Sequence, residues 1–219
     1  MGKIALVAGA TGLVGSELVR QLLATREYEK VITIVRRSSE MVHDKLEEKV
    51  VNFDALTLDE PIDHVYCCLG TTIKKAKTKE AFQKVDLDYP LLLAKLAKKH
   101  QASQFLVISS MGASVKSPFF YSQVKGELEQ QLQELELNGL HIFRPSLLLG
   151  AREEFRLGEA TTEKLASVFP FLFTGPLKKY QPIHAKTVAY AMMATALTES
   201  RGMHIYESES IAKKEEVPL

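Results

Sequence analysis

Short apolar runs and helical apolar stripes alternate along the first two-thirds of the chain. Lys3 to Ala8 is almost wholly apolar and stops at Gly9, as a strand covered on both faces does. Leu13 to Ala24 then carries Val14, Leu18, Val19, Leu22 and Leu23 at helical spacing. Val31 to Val35, Lys49 to Phe53 and His64 to Leu69 read as the next three strands, the last closed by Gly70. Asp88 is placed to cap a helix through Pro90, Leu92, Leu93, Leu96 and Ala97. Lys95, Lys98, Lys99 and His100 lie towards its far end, where positive charge suits the helix dipole. Phe105 to Ser109 is a fifth strand. Ser122 to Leu137 is a helix with Leu128, Leu132 and Leu135 on one stripe, closed by Asn138-Gly139. Leu140 to Phe143, ended by Arg144-Pro145, is a sixth strand.

Strand and helix repeated in this order require a parallel sheet with right-handed crossovers. The expected fold is α/β, a doubly wound parallel sheet of the NAD(P)-binding Rossmann type, with residues 1–219 as one domain. Its ligand belongs at the carboxyl ends of the strands. The pattern loosens over the 74 residues after Pro145, where only Thr187 to Leu197 is plainly helical. Substrate-side elements are therefore expected mainly in 150–185. The Leu128 stripe fits either the core or a helix-pair dimer face, so a monomer and a homodimer both stay open.

Composition narrows the function classes. A chain of 219 residues that is 46% apolar can bury a sizeable core. Its 28 basic and 27 acidic side chains leave a net charge of +1. That balance excludes the strong basic field of a dedicated nucleic-acid binder and a polybasic membrane anchor. No apolar run reaches the length needed to span a bilayer, and neither a leader nor a myristoylation motif is expected at the amino end. Lys74-Lys75-Ala76-Lys77-Thr78-Lys79 has no interleaved aromatics and reads as a solvated run. Cys67 and Cys68 are adjacent and read as buried small residues, with neither disulfide nor metal-site spacing. The expectation is a reduced, cytoplasmic protein acting on a small molecule.

The chemistry begins at Gly9-Ala10-Thr11-Gly12-Leu13-Val14-Gly15, between the first strand and the first helix. Gly9 permits the tight turn, Gly12 lets the backbone approach a pyrophosphate, and Gly15 lets helix and strand pack closely. The helix N-terminus then offers N–H groups to the phosphates. The second strand ends in Val35-Arg36-Arg37-Ser38-Ser39, with no carboxylate until Glu40. A guanidinium binds phosphate oxygens and gains nothing from a neutral ribose diol, so the cofactor expected is NADP(H). Asp54, just past the third strand, is placed to accept from an adenine amino group. Tyr121 and Lys125 stand four apart on one helix face. A neighbouring ammonium lowers a tyrosine's pKa from about 10, fitting the phenol to exchange a proton with a carbonyl or alcohol. Ser109 and Ser110 sit at the exit of the fifth strand, within reach of the same substrate oxygen.

These motifs in this order resemble the short-chain dehydrogenase/reductase superfamily, in its atypical and extended branches. Cys67-Cys68-Leu69-Gly70-Thr71-Thr72, Ser109-Ser110 before Gly112-Ala113, Gln123-Val124-Lys125-Gly126-Glu127 and Phe143-Arg144-Pro145 are similar to the Tat-interacting oxidoreductase group. The resemblance spans about 3 to 160. It implies Tyr121 as the general acid, Lys125 on the nicotinamide ribose, and Ser110 orienting the carbonyl, with Ser109 as runner-up. It further implies Gly9, Thr11, Gly12, Leu13, Val14 and Gly15 on the pyrophosphate, Arg36 and Arg37 on the 2′-phosphate, and Asp54 on the adenine. Leu69, Gly70 and Thr71 match the loop beneath the cofactor, and Pro145, Leu147 and Leu148 the backbone beside the nicotinamide. Two departures stand out. Ser110 precedes Tyr121 by only 11 residues, and the short C-terminal part lacks the larger substrate domain of the sugar-nucleotide enzymes, so an epimerase is not expected. The implied activity is NADPH-dependent hydride transfer to a carbonyl or from an alcohol. The alternative is an NADPH-binding regulatory protein with little turnover.

Overall fold

The computed structural model describes residues 2–150 and 181–214. Among them, the strands are β1 (Lys3–Ala8), β2 (Tyr28–Val35), β3 (Leu46–Val50), β4 (His64–Cys67), β5 (Gln104–Ile108), β6 (Gly139–Arg144), β7 (Leu148–Leu149), β8 (Ile183–His184) and β9 (Gly202–Glu207). Seven form one sheet in the order β3-β2-β1-β4-β5-β6-β9, and every pairing in it is parallel. The short β7 and β8 pair with each other. Helices α1 (Leu13–Ala24) and α6 (Ala185–Leu197) cover one face. Helices α4 (Tyr89–Lys99) and α5 (Phe120–Glu134) cover the other. Both faces of β1 are therefore buried, which is why its interior reads Ala5-Leu6-Val7-Ala8 without a polar break.

The doubly wound α/β reading holds, and the order reverses between β1 and β4. That switch point opens a crevice at the carboxyl ends of both strands. Leu128 and Leu132 are fully buried against the sheet, so the leucine stripe of α5 is core.

Several expectations need correction. The third strand is Leu46–Val50, earlier than expected. Phe53 begins a short 3₁₀ turn, whose start is capped by the Asn52 side chain accepting from Asp54 N–H at 3.1 Å. Asp88 does not cap a helix; its backbone is helical and its side chain caps nothing. The helical path starts earlier, at α3 (Lys79–Gln83), where the Thr78 hydroxyl accepts from Ala81 N–H. It then passes through a π-helical stretch over Lys84–Asp88 into α4. The α5 helix ends at Glu134, with Glu136 in the left-handed region at φ 48°, and Gly139 opens β6 instead of closing the helix. The edge strand β9 and the following α7 (Ser208–Lys214) were not foreseen. Most of 150–185 lies outside the described residues, including the expected substrate-side segment.

A buried polar chain crosses the α1 and α6 face. The Tyr28 hydroxyl meets His64 Nδ1 and the Tyr66 hydroxyl, each at 2.6 Å, and His64 Nε2 meets Glu199 at 2.8 Å. His141 Nε2 meets Gln104 Oε1 at 2.6 Å. Burial, with the stacked His204 adding, depresses the His141 pKa from 6.5 to about 4. His64 is also lowered, chiefly by burial. A base with a depressed folded pKa contributes stability above its ordinary pKa of about 6.5 and loses it as pH falls towards the folded value. Urea unfolding at pH 7 and pH 5 is expected to show about 2 kcal/mol lost through His141. His141→Gln should remove much of that slope.

Candidate functional site

The glycine turn closes one side of the crevice. Gly9 has φ +82°, and a Cβ there would stand 2.4 Å from the Cys68 carbonyl oxygen. Gly12 N–H donates to the Gly9 carbonyl at 2.9 Å, and Gly12 sits at the N-cap of α1 without a side chain to close the helix start. A Cβ on Gly15 would lie 2.1 Å from the Gly9 carbonyl oxygen. Each glycine thus meets a physical need: a left-handed backbone at Gly9, an open N-terminus at Gly12, close helix packing at Gly15. Gly15→Ala forces a backbone shift in the turn. It is expected to cost about 1–3 kcal/mol and to weaken dinucleotide binding, measured by thermal unfolding and titration.

A cleft of about 550 Å³ opens above this turn. Gly9, Thr11, Gly12, Arg36, Leu69, Gly70 and Thr71 line it as the sequence reading expects, joined by Ile34, Phe53, Cys68, Thr72, Lys75, Val85 and Tyr89. Leu13 and Val14 are not among its lining residues: the Val14 side chain is in the core, and Leu13 packs beneath Gly150. Arg37 is exposed beside the cleft. Asp54 does not line the cleft itself: its carboxylate pairs with Lys84 at 2.8 Å and accepts at 3.4 Å from the hydroxyl of Tyr89, which does line it, as does neighbouring Phe53.

At the exit of β5 the two serines separate. Ser109 Oγ donates to Glu129 at 2.5 Å, and Glu129 accepts two bonds from Arg144, at 3.0 and 2.5 Å. Ser110 Oγ is buried and has no hydrogen-bond partner among the described residues. A buried orphan hydroxyl costs free energy until a partner oxygen meets it, whereas the Ser109 hydroxyl is already taken by Glu129. The loop that follows is pinned to α5: Ser114 N–H donates to the Ser122 carbonyl at 3.0 Å, and Gly126 admits the Ser114 backbone. On the opposite side, Met111 N–H donates to the Pro145 carbonyl at 3.3 Å, and Ile183 N–H to that of Leu147 at 2.9 Å. Pro145, Leu147 and Leu148 therefore flank the serine loop.

Tyr121 is 36% exposed, and its ring leans on Phe82 at 5.7 Å. Lys125, one turn further, is buried; its ammonium pairs with Asp86 Oδ1 at 2.9 Å and reaches the Ile108 carbonyl at 3.4 Å. Burial alone would push this ammonium down; Asp86 first, and Tyr121 after it, outweigh burial and hold the pKa above the ordinary lysine value. Asp86 Oδ2 also accepts from Thr71 N–H at 2.8 Å. One carboxylate therefore ties the loop beneath the cleft to the lysine of the Tyr-Lys pair. The sequence reading places a helix cap at Asp88 and assigns Asp86 nothing; the π stretch buries Asp86 against Lys125. The sequence reading also missed Glu129, eight residues after Tyr121 on the same α5 face. Cys67 is wholly buried, its thiol pushed up to about 12 by burial, which makes it a packing residue.

The donor set fits a dinucleotide. The turn brings backbone N–H groups and a helix start to one side of the cleft, Arg36 lines it from the exit of β2, and an orphan hydroxyl lies at the exit of β5. Fold and crevice define a Rossmann-type α/β protein with its ligand cleft at the switch point. The NAD dependent epimerase/dehydratase family matches residues 5–194, and the chain belongs to that family. It is similar to protein HTATIP2 of Rattus norvegicus, 34% identical over 217 residues, which covers 95% of this chain and 88% of that protein. Protein FMP52, mitochondrial, of Meyerozyma guilliermondii is 34% identical over 200 residues, covering 88% of this chain and 85% of that one. Among solved structures, MoeE5 in complex with UDP-glucose and NAD shares the fold with a TM-score of 0.70 at 16% identity, over 95% of this chain and 79% of MoeE5. The UDP-Glc/GlcNAc 4-epimerase of Campylobacter jejuni does so at 0.69 and 14%, over 97% of this chain and 82% of that one.

Proposed function

We propose that the protein is an NADPH-dependent oxidoreductase of the short-chain dehydrogenase/reductase type, acting on a small carbonyl or alcohol. The observation that carries this reading is the division of labour at the β5 exit. Ser109 is consumed by Glu129, while Ser110 keeps a buried hydroxyl with no partner among the described residues, beside the loop pinned to the Tyr121 helix. The nicotinamide, when bound, supplies or accepts the hydride. Ser110 donates to the substrate oxygen and fixes its orientation. Tyr121 gives that oxygen a proton in reduction and removes it in oxidation. Lys125, kept charged by Asp86, stabilises the tyrosinate left behind and holds the nicotinamide ribose hydroxyls. Gly9 to Gly15 present N–H groups to the pyrophosphate, and Arg36 with Arg37 answers the 2′-phosphate.

Leu69, Gly70 and Thr71 support the cofactor from below, with Thr71 fixed by Asp86. Steady-state consumption of NADPH and of NADH against aldehydes, ketones and quinones tests the reading. Turnover of at least one carbonyl, faster with NADPH, is expected. Failure of every carbonyl to consume either cofactor would count against it, and favour a dinucleotide-binding regulatory protein.

A further inference from the structure

Two side chains four apart on α5 grip consecutive residues at the end of β5. Lys125 Nζ donates to the Ile108 carbonyl at 3.4 Å, and Glu129 Oε1 accepts from the Ser109 hydroxyl at 2.5 Å. Tyr121 precedes them by one further turn, so the helix face that carries the phenol also holds the strand exit. Glu129 is buried, and its other bonds come from Arg144 as a fork: Nε donates to Oε1 at 3.0 Å and Nη2 to Oε2 at 2.5 Å. Arg144 ends β6 in register with Glu207 at the end of β9, and its Nη1 donates to Glu207 at 2.9 Å. A backbone bond runs alongside, from Ser109 N–H to the Phe143 carbonyl at 2.7 Å. One buried carboxylate thus joins α5, β5 and β6, and through Arg144 it reaches β9.

We infer that Glu129 is a positioning residue: by taking the Ser109 hydroxyl and bracing Arg144, it fixes which serine of the β5 exit is presented to substrate. This rests on the oxidoreductase reading above and deepens it. Successive residues of an extended strand face opposite ways, so a slip of one residue at the exit would exchange Ser109 and Ser110. A buried carboxylate already bound to a guanidinium holds a neighbouring hydroxyl more firmly than a neutral acceptor does. With Ser109 held against α5, the Ser110 hydroxyl keeps no partner among the described residues. Glu129 therefore acts on the reaction through Ser110 and needs no contact with substrate or cofactor. Lys125 and Glu129 share the work: one helix face sets the phenol, the ammonium and the serine exit in a single frame.

A double-mutant cycle between Glu129→Gln and Ser110→Ala tests this, with phenanthrenequinone as the probe carbonyl and NADPH as the reductant. Glu129→Gln is expected to lower kcat about tenfold or more when Ser110 is present, and less than about twofold in the Ser110→Ala background, where no hydroxyl is left to misplace. The drop in Tm should be the same in both backgrounds, and NADPH affinity should stay within about twofold throughout the cycle. Ser109→Ala leaves Glu129 paired with Arg144 and carries the test if Glu129→Gln does not fold. It should repeat the pattern at roughly three- to fivefold. An equal kcat loss in both backgrounds makes Glu129 a purely structural ion pair and overturns the inference, as does unchanged turnover in Glu129→Gln. A Ser109→Ala variant that loses more kcat than Ser110→Ala overturns it too, by making Ser109 the donor. A wild type that reduces no carbonyl overturns the oxidoreductase reading instead, which separates the two failures.

Discussion

Tyr121→Phe is expected to lose about 10²–10⁴ in kcat for carbonyl reduction, the range that a positioned general acid contributes. The variant keeps the ring and its contact with Phe82, and a side chain 36% exposed contributes little to the core. Thermal stability and NADPH affinity should therefore match the wild type, which separates a proton-transfer defect from a folding one. Lys125 sharpens the expectation, because its ammonium is buried and held charged within the same helical turn. Without the phenol, the developing alkoxide has Ser110 alone to stabilise it. Equal turnover by an active wild type and Tyr121→Phe would remove the tyrosine from the mechanism.

Asp86→Ala carries the largest stability effect. The ion pair with Lys125 is dry on both sides, with side chains 1% and 3% exposed. Deleting the carboxylate leaves an ammonium buried without its counter-charge and a Thr71 N–H without its acceptor. A loss of about 3–5 kcal/mol follows, or roughly 6–20 °C in Tm for a chain of this size. The pair's contribution spans neutral pH, because a lysine with a raised folded pKa loses its share only as pH climbs past the ordinary lysine range. The double variant Asp86→Leu, Lys125→Met removes both charges and should recover much of the stability while staying inactive. A single Asp86→Ala that melts within 2 °C of the wild type, roughly 1 kcal/mol or less, would contradict the pairing.

Much of this was legible in the chain because the physical constraints are local. A run buried on both faces must be apolar throughout, so β1 and β5 announced themselves. The glycine turn was readable because Gly9 and Gly15 have no alternative at their backbone contacts. What escaped was long-range. β9 is a half-exposed edge strand, so Met203-His204-Ile205-Tyr206 alternates without a strong apolar signal. The π stretch leaves no periodic mark in a five-residue window, so nothing in the sequence singled out Asp86. The Lys84 partner of Asp54 lies thirty residues away, so that pairing left no sign near the adenine role read for Asp54. The choice between Ser109 and Ser110 depended on Glu129, which only the packed α5 brings to the strand exit.

On the function proposed above, the cleft over the glycine turn seats a nicotinamide dinucleotide with a 2′-phosphate. Calorimetric titration of NADPH and NADH into the purified wild-type protein is the decisive experiment. Binding of both is expected, with NADPH favoured by about tenfold or more, a difference of about 1.4 kcal/mol. Tighter binding of NADH would contradict the role of Arg36 and Arg37, and binding of neither would contradict the dinucleotide reading of the turn itself.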